Sequence, residues 1–369
     1  LLSGLLVAAG GPGVSGSPEV YAPFFDILFI GEAEFTWPQF MEDFRRGEHK
    51  TEYRQIQKPD LAKSPAPTWD SIVDDLDKYA MGCVQTTRGC PFDCEFCDVI
   101  YLYGRRSRHK PIETVLQEVR TLESHGMRSI FFCDDEFIGD PKYAKELLKA
   151  LIPMNNAFNT PLTYSTQLTM NLSKDEELLA LLADANFNLV FIGVETPNIE
   201  ALKQTHKLQN IRTDLAADIR KILSHGIAIR AGAIVGFDDD GLDIFDIQAE
   251  FIQRACLPSV AINMLKAPHG TRLWGRLRQE GRVIDLSKVK DGLGHPRSYT
   301  NMMPKKMTRV ELLEGYKRLL QTVNNWESFS ERLIGLVDSV QRQPQVAEPG
   351  LDPEETIRRC MLPSVPEAR

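Results

Sequence analysis

No run of about 20 apolar residues occurs anywhere in the 369-residue chain, so it offers no helix able to cross a bilayer. It also lacks a long Lys/Arg block and carries a formal net charge of -8. That leaves no electrostatic footprint for gripping a phosphate backbone, and nucleic acid is not an expected partner. Cysteine is scarce, 7 in all, and three of the seven crowd into the span 90–97. Such spacing excludes a secreted disulfide framework and points to metal binding in a reducing cytoplasm. The apolar start, Leu1 to Ala9, has neither a basic n-region nor an initiator Met, so it reads as a chain cut from a longer one rather than as a signal peptide. With 43% hydrophobic and 25% charged residues the chain has the balance of a folded globular protein, and its length suits two or three domains.

From about residue 112, amphipathic helical stretches alternate with short apolar runs, the pattern of a parallel sheet with crossover helices. Strands are expected over Cys83 to Thr87, Ser129 to Cys133, Leu162 to Leu168, Leu189 to Val194, Ile227 to Val235 and Val260 to Leu265. Between them Gly126 and Gly226 stop helices, Pro141 opens one, and Ser173 with Glu176 reads as a capping box for another. Six strands fall short of the eight in a closed TIM barrel, so the fold class expected is α/β, a partial (β/α)6 TIM-like barrel over residues 79–285. Residues 1–48 hold two strand-like runs, Leu5 to Ala9 and Phe24 to Ile30, about half of a doubly wound domain. Residues 49–78, with Pro59, Pro65 and Pro67, suit a linker. Residues 286–369 read as a small, mostly helical domain, as in Val310 to Val323, with a loose tail after Gln341.

The chemistry is concentrated in Cys90-Pro91-Phe92-Asp93-Cys94-Glu95-Phe96-Cys97, three thiols at C-x3-C-x2-C on the loop after the first barrel strand. Three thiolates hold three irons of a [4Fe-4S] cube, which ordinarily takes four cysteines, and leave one iron open. An amino acid's amino and carboxylate groups can chelate that iron, which brings the sulfonium of S-adenosylmethionine against the cluster. Zinc is the alternative, but it prefers a closed set of four ligands. No second knuckle is present: Cys83 and Cys133 fall on strands, and Cys256 and Cys360 are isolated.

With Phe96 as the aromatic before the third cysteine, the segment from about residue 80 to 285 resembles the radical SAM superfamily. The resemblance implies cluster ligation by Cys90, Cys94 and Cys97 and a place for Phe96 beside the adenine. It assigns Asp134, Asp135 and Glu136, which follow Cys133, to the methionine amino group, and Gln167 and Glu195 to polar contacts with ribose or methionine. Gly232-Ala233-Ile234-Val235-Gly236-Phe237-Asp238-Asp239 resembles the family's G-x-I-x-G-x-x-E segment with Asp239 in place of Glu. It implies that Gly232, Ile234 and Gly236 approach the adenine edge. Each has a plainer alternative: a solvated acidic loop, a partner for a helix N-terminus, glycine bends in a strand. Pro268-His269-Gly270-Thr271-Arg272-Leu273 resembles a P-x-x-G-T-x-L turn expected at the substrate mouth, where His269 is either a proton donor or a solvated turn residue.

Gly11-Pro12-Gly13-Val14-Ser15-Gly16 spells G-x-G-x-x-G, but no helix is expected to open on its last glycine, which argues against a dinucleotide site. Val7-Ala8-Ala9-Gly10-Gly11-Pro12 and Ile27-Leu28-Phe29-Ile30-Gly31-Glu32-Ala33-Glu34 instead resemble the last part of the cobalamin-binding domain that precedes many radical SAM cores. Gly10 and Gly11 are the binding residues this implies. None of the seven histidines supplies a D-x-H-x-x-G segment. Thr300 to Met307 with the helix after it resembles the accessory domain of cobalamin-dependent methylases, including those acting on hopanoid lipids. The expectation is an enzyme that cleaves S-adenosylmethionine reductively to a 5'-deoxyadenosyl radical and methylates an unactivated carbon with cobalamin. It would need a small-molecule or lipid-like substrate and a flavodoxin- or ferredoxin-type electron donor. The alternatives are a cobalamin-independent rearrangement or cyclisation enzyme and a non-catalytic iron-sulfur electron-transfer protein.

Overall fold

The computed structural model describes residues 5–211, 214–284 and 300–340; the expected tail after Gln341 and Cys360 lie outside the described residues. The amino-terminal sheet has the order β1 (Ala8–Ala9), β2 (Ile27–Ile30), β3 (Glu52–Arg54), all parallel. All four residues of β2 are buried, as a strand covered on both faces requires. On one face Val14 of α1 (Pro12–Gly16) packs with Leu28 and Ile30, and α2 (Pro18–Tyr21) follows directly. On the other, Phe29 stacks on Tyr53 at 5.5 Å and meets Phe40 of α3 (Thr36–Arg46) edge-on at 5.4 Å. The strand β3 lies inside the span expected to be linker. Three residues, Glu-Tyr-Arg, are too few to show a period, and only Tyr53 turns inward.

The second sheet has six parallel strands in the order β4 (Gly82–Val84), β7 (Ser129–Phe132), β8 (Thr163–Leu168), β9 (Phe187–Glu195), β10 (Ala228–Val235), β11 (Ser259–Met264). The strand β5 (Thr87–Arg88) pairs antiparallel with β6 (Arg108–His109) as a separate ladder. The barrel strands fall within two residues of their expected ends except the first, which stops at Val84 because Thr86 and Thr87 turn their N–H groups to Asp134. After the short α4 (Val99–Leu102), the crossover helices α5 (Ile112–Ser124), α6 (Pro141–Asn156), α7 (Glu176–Asp184), α9 (Leu215–Ser224) and α10 (Ile244–Arg254) cover the outside. Their inward stripes, such as Val115, Val119 and Leu122 or Leu147, Leu148 and Leu151, join the strands' Ile130, Phe132 and Val190 in one core. Each such fully buried side chain contributes about 1.5–3 kcal/mol.

The cap of α7 differs from expectation. Asp175, not Ser173, receives the Leu178 N–H at 3.0 Å, while the Ser173 hydroxyl is buried and donates to the Met170 carbonyl. Two short polar residues precede the same acidic pair, and a 3-10 turn over Met170–Lys174 uses up the first.

Beyond β9 and β11 lie α8 (Ile199–Gln204) and α11 (Arg272–Gln279). The carboxyl-terminal helices α12 (Arg309–Asn324) and α13 (Trp326–Ser339) share the barrel's core through Leu312, Leu319, Val323 and Leu336. Gly315 admits the Phe245 ring of α10, for a Cβ there would lie 2.1 Å from it. Arg332 is buried and donates to the carbonyls of Leu257 at 2.7 Å, Val323 at 2.7 Å and Ser328 at 3.0 Å, tying both helices to the barrel.

Candidate active site

The four residues before the first cysteine are fastened at three places. Asp134, fully buried beyond β7, accepts the Thr86 N–H at 2.6 Å, the Thr87 N–H at 3.0 Å and both threonine hydroxyls. Gly89, at φ 96, donates its N–H to Asp135 at 2.8 Å, and a Cβ there would lie 2.7 Å from the Arg106 carbonyl. Arg88 donates through Nη1 to Glu32 at 2.5 Å and Glu34 at 2.7 Å, and Arg108, its cross-strand partner, donates to Glu32 at 2.9 and 3.0 Å. The Gly-Glu-x-Glu segment therefore spans from the amino-terminal sheet to the base of the cysteine loop.

The far side of that loop is held by α11. Arg276 donates to Glu95 at 2.7 and 3.1 Å, Arg272 to Asp93 at 2.9 Å, and the Leu273 N–H to the Glu95 carbonyl at 3.1 Å. The turn expected at the substrate mouth thus clasps the cysteine loop. His269, expected as a proton donor or a solvated turn residue, bonds through Nδ1 to the Gly16 carbonyl at 2.6 Å and packs on Trp274 at 4.9 Å.

Between these supports lie three free thiols. Cys94 is buried and its Sγ accepts from Gln209 Nε2 at 3.5 Å. Burial pushes the Cys90 thiol up to about 12 and the Cys97 thiol up to about 11, with Glu136, Cys97 and Cys94 adding to the first and Cys94 and Asp98 to the second. Three thiolates brought together here would call for positive charge close by. Among the described residues no three Cys, His, Asp or Glu side chains gather as ligands of one metal ion do. A zinc site would need that gathering, whereas the corners of a cube each take a single thiolate.

Facing the thiols is Lys207, which sequence reasoning missed. Its ammonium is buried and donates to Glu195 at 3.0 Å. Burial alone would lower its pKa, but the charges of Glu195, Cys94 and Cys97 outweigh that and hold it raised. Glu195 ends β9 at φ 66, a strained conformation for a side chain of its size. A Cβ on Gly193 would stand 2.4 Å from its carboxylate, and one on Gly232 would stand 2.9 Å from the Phe191 ring. Glu136, also buried, accepts the Thr169 N–H at 3.2 Å, and burial pushes its carboxyl up to about 8.

Phe96 meets Phe237 edge-on at 6.2 Å and packs with Ile234 in an apolar cluster. The Gly236 N–H donates to Asp240 at 2.8 Å, while Asp239, aligned with the family's Glu, pairs with Lys306 at 3.2 Å. Gln167 donates to the Asp134 carbonyl at 2.8 Å. Electrostatic coupling thus groups Cys90, Cys94, Cys97, Glu136, Glu195 and Lys207, Phe96 lies against the apolar cluster, and the Asp134 carboxylate is occupied in anchoring Thr86 and Thr87. Gly10 packs with Phe29, where a Cβ would be 3.2 Å from its neighbour; Gly11, at φ 96, opens onto a cavity. That cavity, about 830 Å³, lies between the two sheets and is lined among others by Gly11, Ser15, Glu32, Cys83, Arg88 and Asp135. No sequence signal marks Lys207, whereas Arg88 could have been noticed beside the cysteine motif.

Comparison with known proteins bears on this geometry. Residues 84–243 match the profile of the Radical SAM superfamily, and residues 271–362 that of a domain of unknown function (DUF4070). The chain is 40% identical over 287 residues to an uncharacterised methyltransferase of Synechocystis, covering 77% of this chain and 53% of that protein. It is 35% identical over 285 residues to the hopanoid C-2 methylase of Rhodopseudomonas palustris, covering 76% and 54%. The chain spans about half the length of these curated relatives. The fold is shared with the radical S-adenosylmethionine methyltransferase TsrM of Kitasatospora setae, solved with cobalamin and a [4Fe-4S] cluster, at TM-score 0.65 and 15% identity over 94% of this chain and 75% of that one.

Proposed function

Because residues 84–243 match the Radical SAM superfamily, we propose that this chain holds a [4Fe-4S] cluster on Cys90, Cys94 and Cys97 and cleaves S-adenosylmethionine to methionine and a 5'-deoxyadenosyl radical. The observation that carries this is the set of three free thiols on a loop anchored at both sides, facing the buried ammonium of Lys207. When bound, the reduced cluster supplies the electron that breaks the carbon–sulfur bond. Lys207 offsets the negative charge that three thiolates bring into a buried site, since an uncompensated charge there costs several kcal/mol. Phe96 and Ile234 offer an apolar wall for a flat base, and the Glu195–Lys207 pair offers polar contacts beside it. The Asp134 and α11 anchors keep the loop rigid, which holds the thiols at fixed separation.

We extend the reading to methylation of an unactivated carbon of a small or lipid-like substrate with cobalamin. The hopanoid C-2 methylase relative and the shared fold with TsrM support it. Gly11 and Ser15, at the start of and within α1, border the cavity together with the barrel's Cys83 and Gln85 and form a wall that fits one side of such a cofactor. A flavodoxin- or ferredoxin-type protein would supply electrons.

The test is anaerobic reconstitution with iron and sulfide, then S-adenosylmethionine and a strong reductant. Wild-type protein should release 5'-deoxyadenosine, and the variant with all three cysteines changed to Ala should not. Equal, background amounts from both would defeat the reading.

A further inference from the structure

The cysteine loop leaves and rejoins the barrel through a ladder of only two residue pairs. β5 and β6 pair only Thr87 with His109 and Arg88 with Arg108, to which the Lys110 N–H adds a bond to the Thr86 carbonyl at 2.9 Å. So short a hairpin is marginal alone, and closing the long loop 89–107 costs further entropy. Its charge pattern is worse still, because two arginines stand directly opposite each other, and like charges so placed repel.

One side chain answers that repulsion. Glu32, whose carboxylate is 1% exposed, accepts Arg88 through one oxygen and Arg108 through both, with Lys58 Nζ at 3.6 Å. Glu34 adds a contact to Arg88 alone. Neither glutamate belongs to the barrel, for both follow β2 in the amino-terminal unit. The two arginines are also mostly buried, at 18% and 13% exposure, so water screens them poorly.

We propose that Glu32 is a positioning residue for the cluster loop. Its carboxylate joins Arg88 to Arg108 and so closes the loop carrying Cys90, Cys94 and Cys97. The amino-terminal unit is then part of the cluster-holding machinery as well as a wall of the cavity. The consequence for iron rests on the reading of the cysteines as cluster ligands; the consequence for the loop's conformation does not.

The whole 369-residue chain without iron, as wild type, Glu32→Gln, Glu34→Gln and the double variant Glu32→Gln with Arg88→Gln, is compared by amide hydrogen exchange. Glu32→Gln puts an amide donor against two guanidinium groups and should speed exchange in 89–107 by on the order of tenfold, with α6 and α7 unchanged. Glu34→Gln should do so less. The double variant should recover most of the protection, because one of the two repelling charges is gone; a merely packing role for Glu32 would predict a worse double variant. Reconstituted Glu32→Gln should hold less iron and sulfide per chain than wild type. Unchanged exchange in 89–107 for Glu32→Gln, or no recovery in the double variant, overturns the proposal. Wild-type protein that binds no iron defeats the functional reading and leaves the clamp to be judged by the exchange result.

Discussion

Substituting Asp134 by Asn should raise stability above about pH 6, while substituting it by Ala should leave the chain less stable than the Asn variant at every pH. Asn keeps the shape of the side chain. Its amide oxygen replaces the carboxylate oxygen that accepts the Thr86 and Thr87 N–H groups, and its NH2 donates to the two threonine hydroxyls, which rotate to accept. Ala instead strands two buried N–H donors, at about 1–3 kcal/mol each, for a loss of about 2–6 kcal/mol. Burial pushes the Asp134 carboxyl from 3.8 up to about 6, against the pull of its four donors. A carboxyl with its folded pKa above its unfolded one binds the proton more tightly in the native state. The native protein is thus favoured below the unfolded value and loses that advantage as pH rises through the folded one. The difference corresponds to about 3 kcal/mol, which Asn, having no charge to bury, does not forfeit. Asp134→Asn should therefore match wild type near about pH 4 and exceed it by up to about 3 kcal/mol near about pH 8. Thermal unfolding of the iron-free chain at those two pH values reads this directly, at roughly 2–4 °C per kcal/mol for a unit this size. An Asn variant as unstable as the Ala variant near pH 8 would refute the reasoning, for it would mean that the charge itself holds the loop.

Other outcomes follow from contacts elsewhere in the fold. Lys207→Met leaves the Glu195 carboxylate buried without its partner and should cost about 3–5 kcal/mol in chemical denaturation, most of it regained when Glu195→Gln is added. Arg332→Met takes the side-chain donor from the carbonyls of Leu257 and Val323, and amide exchange should rise in α13 before it rises in the barrel strands. Gly236→Ala forces a Cβ into a φ of 96 and to 3.1 Å from Leu312, so its unfolding should be easier by about 1–3 kcal/mol.

Most of the barrel strands were legible because each is a short run rich in apolar and β-branched residues between two helical stretches; β8, Thr-Tyr-Ser-Thr-Gln-Leu, was read from its place between helices. The amino-terminal β3 was not, since three residues carry no period. Among the site residues the three cysteines and Phe96 announce themselves by spacing alone. Asp134 was legible as an acid at a strand's end, but its partners Thr86 and Thr87 are 48 and 47 residues away, so its use as an anchor was not. Distance hid the rest in the same way. Glu32 meets Arg108 at a separation of 76 residues, and His269 meets Gly16 at 253. Periodicity reads what a residue does for its own element; charge pairing between elements appears only once the chain is folded.

A barrel that ends at Gly82–Val84 has a flank as well as a mouth. Alternate peptide groups of a parallel edge strand are directed away from its neighbour, and on this flank Cys83 and Gln85 border the cavity beside the amino-terminal sheet. A ligand taken up there would meet main-chain dipoles, whose chemistry does not change when side chains are exchanged. Substitutions on the opposite wall, at Ser15 or Trp37, would therefore reshape the cavity and leave that edge as it is.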